Sequence, residues 1–262
     1  MINNLLHRQV VAVDSNVHRS TRLRVPHNDW SFASPLNSIF IAATEFGDAC
    51  REYPVVFVNA GKDENDKPAI APIAVFGVSN NDNLFLDKNA WRGRYMPAML
   101  RVYPFCTAKV SADQFAVCLD SSWSGVSTSE GEPLYGADGK PTELLAGVQK
   151  QLETLETEVV RTRLLCQRLQ DLDLLRDMRF DATFGDGRKH SVEGFLTVDQ
   201  AKLDALPEAT LLELHKQGVL GLIHAHWISL GNMRTLLDWH QLRHPTPPAA
   251  PAPAPAAANS AA

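Results

Sequence analysis

The chain has 262 residues, 45% of them hydrophobic, enough to bury one substantial core or two small ones. Its formal net charge of -5 and pI near 6.0 argue against nucleic acid as a partner, because phosphate binding takes an excess of Lys and Arg. A local basic patch still leaves room for an anion. No apolar run approaches the about 20 residues of a membrane span or the about 7–15 of a secretory core. The longest are IFIAA at 39–43 and GVLGLI at 218–223. Membrane insertion is therefore not expected, and a cytoplasmic location is.

In chain order, the first half reads as β-rich over residues 20–140. Residues 38–51 fit its one helix, ending where Pro54 restricts Tyr53. YPVVFVN at 53–59 is a short buried strand, followed by a polar loop over 60–67 and a second strand, PIAVFGV, at 72–78. Turn-rich SNNDN ends it. Residues 84–87 are short and strand-like, and FAVCLD at 115–120 alternates as a half-buried strand does. Such short spacings favour an antiparallel meander over βαβ crossovers. Residues 121–140 turn to Ser, Gly, Glu and Asp and read as a long surface loop.

Pro141, at a first helical position, opens the clearest element. Leu145, Val148, Leu152, Leu155, Val159, Thr162, Cys166 and Leu169 recur in steps of three and four and form one stripe. A long helix lying across its own sheet needs that stripe; the alternative is a homodimer through the 145–169 helix. Residues 178–184 read as a strand, 184–188 as a glycine-rich turn, and 194–207 as a strand running into a short helix with Asp199 as N-cap. A helix at 208–217 closes at Gly218, and a last helix runs from about 219 to 243. The expectation is a single α+β domain over 1–243, a mostly antiparallel sheet region packed with C-terminal helices. A disordered Pro/Ala tail over 244–262 would follow it.

Chemistry-bearing patterns are sparse. Cys50, Cys106, Cys118 and Cys166 show no close pairing and read as reduced, packed thiols. His27 and Asp29 form an H-x-D pair that, with a distant histidine, offers a weak iron-site candidate; Asn-Asp after Pro-His equally makes a turn. On a helix, His224 and His226 point apart and cannot share a metal. His240 and His244 share a face but sit at a fraying end and are discounted. No nucleophile elbow, phosphate loop or dinucleotide fingerprint is present, and no cofactor follows.

The richest stretch is NLFLDKNAWRGRYMPAMLRVYPF at 83–105, three arginines among five aromatics. As strands, Trp91 and Tyr95 share one face, Arg92 and Arg94 the other, and Arg101, Tyr103 and Phe105 a third row. Arginine beside Trp and Tyr offers cation–π contacts or a bidentate grip on a carboxylate. The alternative is that the aromatics are core and the arginines solvated.

That stretch, with EF at 45–46, YPVVF at 53–57, PLYGADGKPT at 133–142, GFLTVDQAKLDAL at 194–206 and AHWISLGNMRTLL at 225–237, resembles the SapC family of bacterial proteins. Its members carry surface-layer or peptide and multidrug transporter labels, and a permease role does not suit a chain without a span. The family's association with halogenase-like and cupin-like oxygenases implies an accessory or peptide-handling role. The expectation is thus a protein that binds a partner protein or peptide through residues 91–105. The alternatives are an enzyme of unrecognised type, metal-dependent through His27 and Asp29, and a surface-layer structural component.

Overall fold

The structure, a computed structural model, describes residues 1–25, 29–62, 66–111, 114–183 and 189–245. His27, the turn at 184–188 and the tail from 246 lie outside the described residues. Strands β1 (Val10–Ala12) and β2 (Arg22–Leu23) precede β3 (Ser38–Phe40) and the short helix α1 (Phe46–Ala49). Then come β4 (Val55–Lys62), β5 (Pro68–Val75), β6 (Leu86–Asp87), β7 (Ala90–Trp91), α2 (Ala98–Arg101), β8 (Phe105–Lys109), β9 (Phe115–Asp120), β10 (Val126–Ser127) and β11 (Glu132–Pro133). The second half is α3 (Glu143–Asp171), β12 (Leu175–Thr183), β13 (Lys189–Val198), α4 (Gln200–Asp204), α5 (Glu208–Lys216), α6 (Val219–Ser229) and α7 (Asn232–Arg243).

The main sheet runs β12-β13-β4-β5-β3 and the second β1-β9-β8, every pairing antiparallel. The fold is α+β, and β13 from the second half joins the sheet begun in the first. Helix α3 lies across β5, with Leu145, Leu152, Leu155, Thr162, Leu165, Cys166 and Leu169 buried. The stripe is spent against the chain's own core, where removing each leucine from water is worth about 1.5–3 kcal/mol. Cys106, Cys118 and Cys166 are buried free thiols, and burial pushes Cys166 up to about 12.

Several sequence expectations are revised. Residues 38–51 are not one helix: Ser38–Phe40 pairs with β5 as an edge strand, and only Phe46–Ala49 is helical after a 3-10 turn at Ala43–Glu45. An apolar run this short suits either period, and the open edge of β5 decides. Residues 60–67 are not a plain loop, because β4 extends to Lys62 over an irregularity between Asn59 and Lys62. Residues 121–140 hold two short strands that both pair with β2. Pro141 is outside helix α3, whose N-cap is Thr142; its hydroxyl accepts the Leu145 amide and donates to the Pro133 carbonyl at 2.8 Å. The last helix is two, broken after Ser229, and Asn232 Nδ2 turns back onto the Cys50 and Tyr53 carbonyls at 2.8 and 3.1 Å. Asp199 does cap α4, as expected, accepting the Lys202 amide at 3.2 Å.

Candidate functional site

The segment 91–105 is a clamp more than a strand. Beyond β7 it runs without pairing to α2, so Arg101 is exposed while Tyr103 and Phe105 are 4% and 2% exposed. The expected row of Arg101, Tyr103 and Phe105 does not exist, because a helical turn rotates Arg101 out. Trp91 and Tyr95 are half-buried, and Arg92 and Arg94 are exposed.

Two buried carboxylates hold this segment from inside. Glu45 accepts the Tyr95 hydroxyl at 2.7 Å and the Ala98 amide at 2.8 Å on one oxygen, and the Ala42 amide at 2.7 Å on the other. Asp120 accepts the Tyr103 hydroxyl at 3.2 Å and the amides of Arg8, Gln9 and Ser122 at 3.0–3.1 Å. Burial first, and then these carboxylates, raise the Tyr95 and Tyr103 phenols above their ordinary value. Glu52 adds a third grip on the Arg94 amide at 2.7 Å. Gly93 permits it: a Cβ there would lie 2.6 Å from the Tyr53 hydroxyl and 2.9 Å from the Glu52 carboxylate. The Tyr95 and Tyr103 hydroxyls are therefore turned inward onto the protein's own carboxylates.

His226 behaves likewise. Its Nδ1–H donates to the Val55 carbonyl at 2.7 Å, so Nε2 accepts the Thr197 hydroxyl at 2.9 Å and the Val198 amide at 3.3 Å. This neutral ring ties α6 to β4 and β13, and burial pushes its pKa down to about 4. His224 faces outward on the same helix, as the 100° step per residue requires.

The outer face of the segment opens on a cleft of about 500 Å³ between the β6–β7 hairpin and α7, lined among others by Asn83, Lys88, Arg92, Trp239 and Arg243. Phe85 packs edge-on against Trp239 at 5.2 Å, which supports that indole from behind. The Arg92 guanidinium lies over it, 4.7 Å from the ring centroid. Asp87 approaches Arg92 only to 3.8 Å, beyond hydrogen-bond reach. Arg243 is differently used, donating to Asp82 at 2.9 Å and to the Asn83 and Leu86 carbonyls at 2.8 and 2.5 Å. Among the described residues, Lys88 has no carboxylate partner.

A model of the SapC family matches residues 13–236. The chain belongs to the SapC family. No curated protein and no solved structure matches it. Most of the blocks by which the sequence resembles the family are therefore interior clamps in this SapC-family fold, Glu45, Tyr95, Tyr103 and His226 among them. Arg92 is the member of the 91–105 block that reaches the cleft.

Beside the cleft, the Asp82 carboxylate gathers three side chains from one helix end. Its Oδ1 takes Arg243, and its Oδ2 takes His240 Nδ1 and His244 Nε2, both at 3.1 Å. Burial raises the Asp82 carboxyl, and hydrogen bonds from Arg243, His244 and His240 outweigh it and hold it below the usual range. The turn that carries Asp82 folds back on Gly77, where a Cβ would lie 1.7 Å from the Asp82 carbonyl oxygen. Sequence reasoning passed over this cluster. The four-residue spacing of His240 and His244 was visible, but nothing in SNNDN singled out Asp82, and Trp239 read as ordinary helix. Of the H-x-D pair, His27 is outside the described residues, and Asp29 accepts the Ser31 amide at 2.8 Å.

Proposed function

We propose that this SapC-family chain acts as an accessory protein that binds a partner protein or peptide through an acidic segment, seated in the cleft of Lys88, Arg92 and Trp239. The supporting observation is the arginine stacked on an indole with no hydrogen-bonded anion, in a chain whose net charge is -5. Arg243 spends its charge on Asp82, and Lys88 and Arg92 remain against Asp87. A carboxylate entering here gains a charge-assisted, bidentate contact and displaces only a loose surface pair worth about 0–1 kcal/mol. The indole gives an apolar floor for the carbon stem of a Glu or Asp side chain. The binding surface expected over 91–105 thus narrows to Arg92, joined by residues from α7 and the β6–β7 turn.

The test is affinity capture from the host's own lysate, read by native mass spectrometry, with wild type against a Lys88→Ala, Arg92→Ala double variant. The wild type should retain a partner whose contact segment carries carboxylates, and the double variant should lose it with an unchanged thermal midpoint. Retention by the double variant, or equal loss on Arg51→Ala at an exposed arginine outside the cleft lining, would sink the reading.

A further inference from the structure

The geometry points to a mononuclear site for a first-row divalent cation of the Zn²⁺ class, ligated by Asp82 Oδ2, His240 Nδ1 and His244 Nε2. The proposal does not rest on the cleft's role in partner binding. Two imidazoles and one carboxylate are a donor set that Zn²⁺, Fe²⁺, Co²⁺ and Ni²⁺ take readily, whereas Mg²⁺ and Ca²⁺ demand oxygens. The three ligand atoms all lie within 4.8 Å of one another. Bonds of about 2.0–2.2 Å to a central ion put neighbouring ligand atoms about 3.0–3.5 Å apart. Both carboxylate-to-imidazole contacts, at 3.1 Å, already have that length. His244 has the freedom to set its ring nitrogen against that of His240: it follows the last residue of α7 and its side chain is 49% exposed.

Each element of the site has a sequence cause. His240 and His244, four residues apart at the end of α7, meet on one face. Asp82 is brought under them by the tight return of the chain over Gly77. Arg243 holds Oδ1 and so keeps Oδ2 turned toward both rings, the kind of outer support that orients ligating carboxylates. Arg243 by itself already clasps α7 to the Asp82 turn, bonding Asp82 and two carbonyls there. The two imidazoles converge on the one oxygen that Arg243 leaves, where a cation can replace their protons. Three protein ligands leave at least one coordination position open to water or to an incoming donor.

The experiment is a zinc titration of the full-length chain, freed of any affinity tag and stripped with chelator, in competition with a chromogenic zinc indicator. Cobalt absorption serves as a second readout of imidazole ligation. Wild type should bind one equivalent of Zn²⁺, gain thermal stability on binding, and give a Co²⁺ spectrum distinct from the aqua ion. His244→Gln should weaken zinc binding by more than about 100-fold, above the loss expected from an outer-sphere partner. His240→Gln should do the same, and His215→Gln, at an exposed site on α5, should change nothing. Because His240 also packs at the helix end, the exposed His244 decides: equal zinc affinity in wild type and His244→Gln overturns the proposal. So does a cobalt spectrum unchanged from that of the aqua ion.

Discussion

Two polar networks in this molecule use carboxylates in opposite ways. Glu45 and Asp120 are buried and take their hydrogen bonds from backbone amides, phenols and the Ser122 hydroxyl, donors that carry no charge. Asp82, at the rim, takes a guanidinium and two imidazoles from one helix end, side-chain donors that can swing away. A buried anion satisfied by neutral donors fixes chain geometry and offers nothing to a ligand. An anion held by mobile side chains, one of them an exposed imidazole, is chemically open. The same contrast divides the arginine and aromatic block: its Tyr95 and Tyr103 are held by Glu45 and Asp120, and its Arg92 faces the cleft.

The comparison breaks most readily at Asp120. Asp120→Ala strands three amides and the Tyr103 hydroxyl, and should cost about 3–5 kcal/mol in chemical denaturation. Hydrogen exchange should show residues 8–9 losing protection first. Parity with wild type would mean that the interior network is not what holds the block.

His226 gives the next effect, through pH. Its folded pKa of about 4 lies below the ordinary 6.5, so between those values the unfolded chain binds more protons than the folded one. Stability is fully present above pH 6.5 and should fall by about 3 kcal/mol as pH drops toward 4. His226→Gln should lose that slope; a slope unchanged in the variant assigns it elsewhere.

Asp82→Ala should cost less, about 1–2 kcal/mol, because its partners Arg243 and His244 reach solvent. Its signature is release of the end of α7, read as faster exchange over 239–243 with β4 and β13 unaffected. Arg92→Ala comes last. Its stack on Trp239 and loose pair with Asp87 are worth under about 1 kcal/mol together, so the midpoint should hardly move while partner capture fails. A large drop in midpoint would make Arg92 part of the scaffold.

What local sequence determined is what local physics decides. The stripe of α3 follows from a period of three and four, and the Asp199 cap from a side chain that reaches its own helix. The same local reasoning joined 219–243 into one helix and 38–51 into another, since nothing in those runs announces that Asn232 is needed at the Cys50 and Tyr53 carbonyls or that β5 has an open edge. Arg92 was legible as a site candidate from its aromatic neighbours. Trp239, Lys88 and the Asp82, His240 and His244 cluster were not. Their chemistry exists only where residues 82 and 240 meet, and 158 residues of chain separate the two. Only tertiary structure decides such a contact, because closing a loop of that length is governed by how the intervening elements bury their apolar faces.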